Sequence, residues 1–108
     1  MSETLDRVRG LVALGQVRVS DHGYETFIER DILAGEVISG VDAAMVVEDY
    51  PTAAYGPSVL VLQHDRDGRP LHILWGIPAG HAGPAVIVTG YRPDPSRWSE
   101  DFMRRKVR

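Results

Sequence analysis

The chain has 108 residues, 44% of them apolar and 25% charged, with a net charge of −3 and no cysteine. That length suits one domain with a core of its own, and the composition is not that of a disordered chain. The absence of thiols excludes disulfide staples and thiolate chemistry, and no apolar run approaches the ~20 residues that a spanning helix needs.

Ser2 is placed to cap a first helix, whose apolar residues Leu5, Val8, Leu11 and Val12 recur at helical spacing before a natural stop at Gly15. Glu3 and Asp6 arrive before any base, so no signal peptide is expected and a cytoplasmic setting fits. Gln16 to Ser20 reads as an extended connector or a short edge strand. Ser20 or Asp21 then opens a second helix, with Tyr24, Phe27 and Ile28 on one face. Arg30 and Asp31 mark a junction to a third helix striped by Ile32, Leu33, Val37, Ile38 and Val41 and weakened by Gly35 and Gly40.

Beyond Gly40 the period changes to that of a strand. Met45 to Tyr50 forms one run, closed by Pro51. Val59 to His64 and Leu71 to Ile77 form two more, and Asp65 to Gly68 supplies the turn of a hairpin between them. After a loop rich in Gly, Pro and Ala, Ala85 to Tyr91 is the last strand. Pro93 and Pro95 end it, and Ser96 is placed to cap a short C-terminal helix. The expected fold is α+β: two to three N-terminal helices packed on one face of a four-stranded antiparallel sheet, with a short C-terminal helix.

Strand alternation sorts polar residues by face. If Ile73 and Ile87 face the helices, His72 lies on the open face, while Thr89 and Tyr91 start on the packed side, an assignment that one bulge reverses. His22 sits at a helix start, where anions are favoured; it reads equally as a surface or capping residue. Arg30 is a phosphate candidate or the partner of Glu29 or Asp31. No metal is expected, because no Cys, HExxH motif or clustered ligand spacing is present. Neither a phosphate-binding glycine loop nor a serine elbow occurs, and no cofactor is expected.

Charge is unevenly spread. From Arg92 to Arg108 six bases face three acids, so this stretch carries +3 and the first 91 residues carry −6. A basic tail on an acidic body suits a local phosphate contact or a solvated terminal helix, and Arg104, Arg105 and Lys106 are its candidate RNA contacts.

Three stretches together resemble a bacterial family of domains of unknown function: Val19 to His22 with Glu29 and Arg30, Gly68 to Ile73, and Val86 to Pro93 followed by Trp98, Arg104 and Arg105. That family is grouped with the barnase, EndoU, colicin and RelE ribonuclease-toxin superfold. The resemblance implies helices on a four-stranded antiparallel sheet, a metal-independent endoribonuclease, and an RNA or antitoxin-like partner. Its recurrent polar positions fall on His22, Arg30, His72, Thr89 and Tyr91. This chain departs from it in carrying Gly23 where relatives often have Ala.

Metal-free RNA cleavage needs a base, an acid and positive charge on the phosphate. His22 and His72 would take the acid and base roles, Arg30 the phosphate, and Tyr91 or Thr89 a positioning hydrogen bond. The alternative is a non-catalytic module that binds a protein or small ligand, which the acidic body favours.

Overall fold

The computed structural model describes residues 2–107. In chain order it contains α1 (Glu3–Ala13), β1 (Val17–Val19), α2 (Asp21–Arg30), α3 (Ala34–Ser39), a 3-10 turn (Val41–Ala43), β2 (Met45–Tyr50), β3 (Ser58–His64), β4 (Pro70–Gly76) and β5 (Ala85–Tyr91).

The helix starts follow the capping logic of the sequence. Ser2 accepts the amide N–H of Leu5 and Ser20 that of Gly23, each through its hydroxyl. Asp31 closes α2 in the left-handed conformation at φ 54°, the junction expected at Arg30 and Asp31. α3 has no side-chain cap and spans only six residues.

The expected four-stranded antiparallel sheet is corrected to a five-stranded mixed one, ordered β1-β5-β4-β3-β2. β2 to β5 are antiparallel neighbours, but β1 pairs with β5 in parallel, Val17 to Val19 opposite Ala85 to Ile87. Three residues gave too little alternation to count β1 as a sheet member. Its partner is set by the fold, since β1 leaves the edge straight into α2.

All three helices cover one face of the sheet. Leu5 and Val8 of α1, Phe27 of α2 and Val37 of α3 bury against Val59, Val61, Ile73, Trp75 and Ile87. Between α3 and the sheet Gln63 is buried, accepting from Trp75 Nε1 at 3.0 Å and donating to the Val37 carbonyl at 2.8 Å.

Two register shifts decide what the other face carries. One lies between Val46 and Glu48 in β2, the other opposite the Leu74–Trp75 step of β4. Trp75 pairs with Ile87, yet Leu74 pairs with Thr89, so Val88 is the extra residue of a bulge. Past it the faces exchange. Gly90 now opposes Ile73 on the helix side, where an added Cβ would stand 2.6 Å from Phe27 Cε1. Thr89 and Tyr91 therefore join His72 on the open face, correcting the packed-side placement that strict alternation gives.

The expected C-terminal helix is also corrected. Residues 93–107 form a run of turns held by a single bridge between Trp98 and Arg105. Asp94 and Asp101 spend their carboxylates on nearby backbone N–H groups, of Ser96 and Met103 respectively. Such local bonds favour turns over helix.

Candidate functional site

The open face brings together His72, Tyr91, Trp98, Glu48 and Arg105. His72 is wholly buried there. Its Nε2 lies 2.8 Å from the Phe102 carbonyl oxygen and its Nδ1 3.1 Å from the Tyr91 hydroxyl. A carbonyl only accepts, so Nε2 carries the hydrogen and donates it. Burial lowers the imidazole pKa, opposed by the Phe102 bond, and the ring is neutral at pH 7. Nδ1 is then the acceptor, and the Tyr91 phenol donates to it. Burial raises the pKa of Tyr91 above its usual value, which keeps that proton in place.

The C-terminal run lies over this pair. The buried Trp98 meets His72 edge to face, ring centroids 4.4 Å apart. Arg105 sits over the Trp98 ring at 4.8 Å and grips Glu48 of β2 through two bonds of 2.9 and 3.0 Å. Tyr50 donates its hydroxyl to the same carboxylate. The Arg105 fork lowers the pKa of Glu48, and the paired carboxylate raises that of Arg105.

Beside this layer opens a cleft of about 360 Å³ lined by Arg30, Tyr91, Arg92, Asp94, Arg97, Trp98 and Arg105. Two of its four guanidinium groups are neutralised nearby: Arg92 by Asp65 at 3.0 Å and Arg105 by Glu48. Arg30 has only an exposed contact of 3.9 Å to Glu29, and Arg97 has no ion pair among the described residues. The cleft thus sets the guanidinium groups of Arg30 and Arg97 beside the Tyr91 phenol, with Asp94 as its one carboxylate, a combination suited to a phosphate.

The residues singled out in the sequence separate into groups. His72 and Tyr91 are directly bonded, and Arg30 reaches Tyr91's cleft around the end of β5. His22 does not join them: it stands exposed in the first turn of α2, on the helix side, with the sheet between it and His72. Thr89 faces the open side opposite Leu74 but does not line the cleft. Arg105 is committed to Glu48 and Trp98, while Arg104 and Lys106 are exposed. Arg108 lies outside the described residues.

Sequence reasoning missed Glu48, Arg97 and Trp98 as parts of one site. A carboxylate interrupting the apolar run Met45 to Val47 was the available signal for Glu48. For Arg97 there was none, because its position depends on the turns after Pro93. Among the described residues no three His, Asp or Glu side chains converge to hold a metal ion.

No curated protein and no solved structure matches this chain. A family match covers residues 19–92, from β1 to the residue after β5. Trp98, Arg104 and Arg105 of the sequence resemblance lie beyond it. Covering more than half of the chain, that match makes this protein a member of the DUF4258 family, a domain of unknown function.

Proposed function

We propose that this domain binds the backbone of single-stranded RNA in the cleft between Arg30 and Arg97. The observation that carries the reading is the pair of guanidinium groups without a strong internal partner, set beside Tyr91. Guanidinium groups match phosphate oxygens through their forked N–H donors.

Cleavage by two free imidazoles finds no support in this arrangement, since His22 and His72 are on opposite sides of the sheet. A ribonuclease acting at this cleft would move protons through the bonded Tyr91–His72 pair. The substrate 2′-hydroxyl would attack the phosphorus as its proton passes to Tyr91 Oη and the phenol proton moves to His72 Nδ1; the P–O5′ bond then breaks, and the 5′-oxygen takes a proton back through the same phenol from the imidazolium, leaving a 2′,3′-cyclic phosphate. The resulting imidazolium keeps its Nε2–H on the Phe102 carbonyl, and Arg30 and Arg97 face the phosphorane charge.

A labelled single-stranded oligoribonucleotide titrated over a range of salt tests the binding. Two neutralised phosphates predict a slope of log K against log salt of about −1.4. No affinity at low salt would remove the RNA reading.

A second reading has its own observation. On the open face, away from the cleft, a groove of about 340 Å³ is lined chiefly by Tyr55, Leu74, Ile77, Pro78, Val86 and Val88, with Tyr55 95% exposed. This apolar surface favours a protein-binding module, whose affinity would vary little with salt.

A further inference from the structure

The cleft does not end at Arg97. A second hollow of about 290 Å³ adjoins it, lined by Ser96, Arg97, Arg105 and Lys106. Arg97 and Arg105 wall both, so the two meet there. The first hollow carries the Asp94 carboxylate, and the second carries none. We propose that this second hollow is a further phosphate subsite, so that the domain holds three successive phosphates of one RNA strand, two at Arg30 and Arg97 and the third at Lys106. The inference rests on the RNA reading and adds the length of strand that the site takes.

The turns after Pro93 build the subsite. Trp98 and Arg105 face each other across an antiparallel bridge. The Ser99 N–H donates to the Arg104 carbonyl at 2.8 Å and the Lys106 N–H to the Arg97 carbonyl at 2.9 Å. These bonds flank the bridge and make Arg97 and Lys106 the next cross-strand pair, with Cβ atoms about 5 Å apart. Like charges placed directly opposite are destabilising. Neither cation has an ion pair among the described residues. Asp94 is the carboxylate that senses both. Its carboxyl is held below its usual range first by the Ser96 backbone N–H and side chain, and then by the Arg97 and Lys106 charges. Two cations held together with no ion-pair partner favour an anion that touches both, and a phosphate diester offers two free oxygens.

The pair is also anchored. Trp98 is buried, and Arg105 binds Glu48 through Nε and Nη2, so the turn that carries Arg97 and Lys106 is fixed before a ligand arrives. Arg105 Nη1 makes no hydrogen bond among the described residues and stays available to the subsite. Past Lys106 the positive run stops. Arg104 borders a hollow lined by Ser99, Glu100 and Asp101, whose carboxylates oppose another phosphate.

The test uses the full chain and two labelled oligouridylates, one with eight internucleotide phosphates and one with two, each titrated over a range of salt. On the long strand three neutralised phosphates predict a slope of log K against log salt of about −2.1. Lys106→Gln should return it to about −1.4, the value of the first cleft alone. Lys106→Arg keeps the charge and should keep the steeper slope. On the short ligand Lys106→Gln should leave the slope as it is, because the register at Arg30 and Arg97 stays available. The Gln variant retains the backbone N–H that bonds to Arg97, and the side chain it replaces is exposed, so the turn is kept. Arg7 is an exposed base of α1, on the helix-covered side, and Arg7→Gln should alter neither slope. An unchanged slope for Lys106→Gln on the long strand would overturn the subsite. An equal fall on the short ligand, or an equal fall in Arg7→Gln, would overturn it too. A flat result for Lys106 leaves the RNA reading standing, whereas no binding of either ligand by the wild-type chain at low salt removes that reading and the subsite with it.

Discussion

His72 and Tyr91 sit opposite one another on neighbouring strands, and the phenol donates to the imidazole at 3.1 Å. The bond exists because of the bulge at Val88. Without that extra residue Tyr91 would point into the helix-packed core, and His72 would face the C-terminal run alone.

The protonation of His72 should be visible in stability. Burial lowers its pKa in the folded chain, so below the ordinary value of 6.5 the unfolded chain binds the extra proton more readily. The stabilisation from neutral His72 is therefore present above that value and lost as pH falls below it. The melting temperature should drop from about pH 7 to about pH 5, and His72→Gln should flatten that slope. An unchanged slope in the variant would assign the acid sensitivity to other groups.

Gln63 links α3 to Trp75 through a buried amide with both ends bonded. Replacing it with Leu keeps the volume but leaves the Trp75 N–H and the Val37 carbonyl without partners. A loss of about 2–4 kcal/mol is expected in urea unfolding, with an unaltered denaturant slope. A loss below about 0.5 kcal/mol would mean that water replaces the amide.

Gly90 occupies the helix side of β5 directly under Phe27. A methyl group there would stand 2.6 Å from Phe27 Cε1 and 2.8 Å from Ile73 Cδ1. Gly90→Ala should cost about 1–3 kcal/mol through overpacking. The same substitution would be nearly neutral if β5 kept strict alternation, so the measurement also checks the bulge.

Arg97→Ala should reduce the salt dependence of RNA binding by about 0.7 in slope, the contribution of one phosphate. Arg66→Ala, on the β3–β4 turn away from the cleft, should leave it unchanged. Equal effects from both would indicate diffuse attraction and not a site.

Much of the frame was legible in the sequence. Ser2 and Ser20 marked helix starts, and the apolar runs of β2 to β5 marked strands, because caps and alternation are local. What escaped depended on distant partners. Gln16 to Ser20 offered a connector or a short edge strand, and only β5 beside Val17 to Val19 decides for the strand. The face of Tyr91 depends on one extra residue at Val88, which no spacing rule announces. Of the site, the strand position of His72 was readable, but its closeness to Tyr91 followed only from that bulge. Glu48, Trp98 and Arg105 meet because the chain doubles back after Pro93, and local turn bonds, not an apolar period, direct that return.

The two outer strands carry a further consequence. β1 offers only three residues, and β2 is broken in register at Val46–Glu48, carries Glu48 and Asp49, and stops at Pro51. A neighbouring molecule would find at either border too few aligned amides to add a strand. The exposed rims of this sheet are thereby built against edge-to-edge stacking and filament growth.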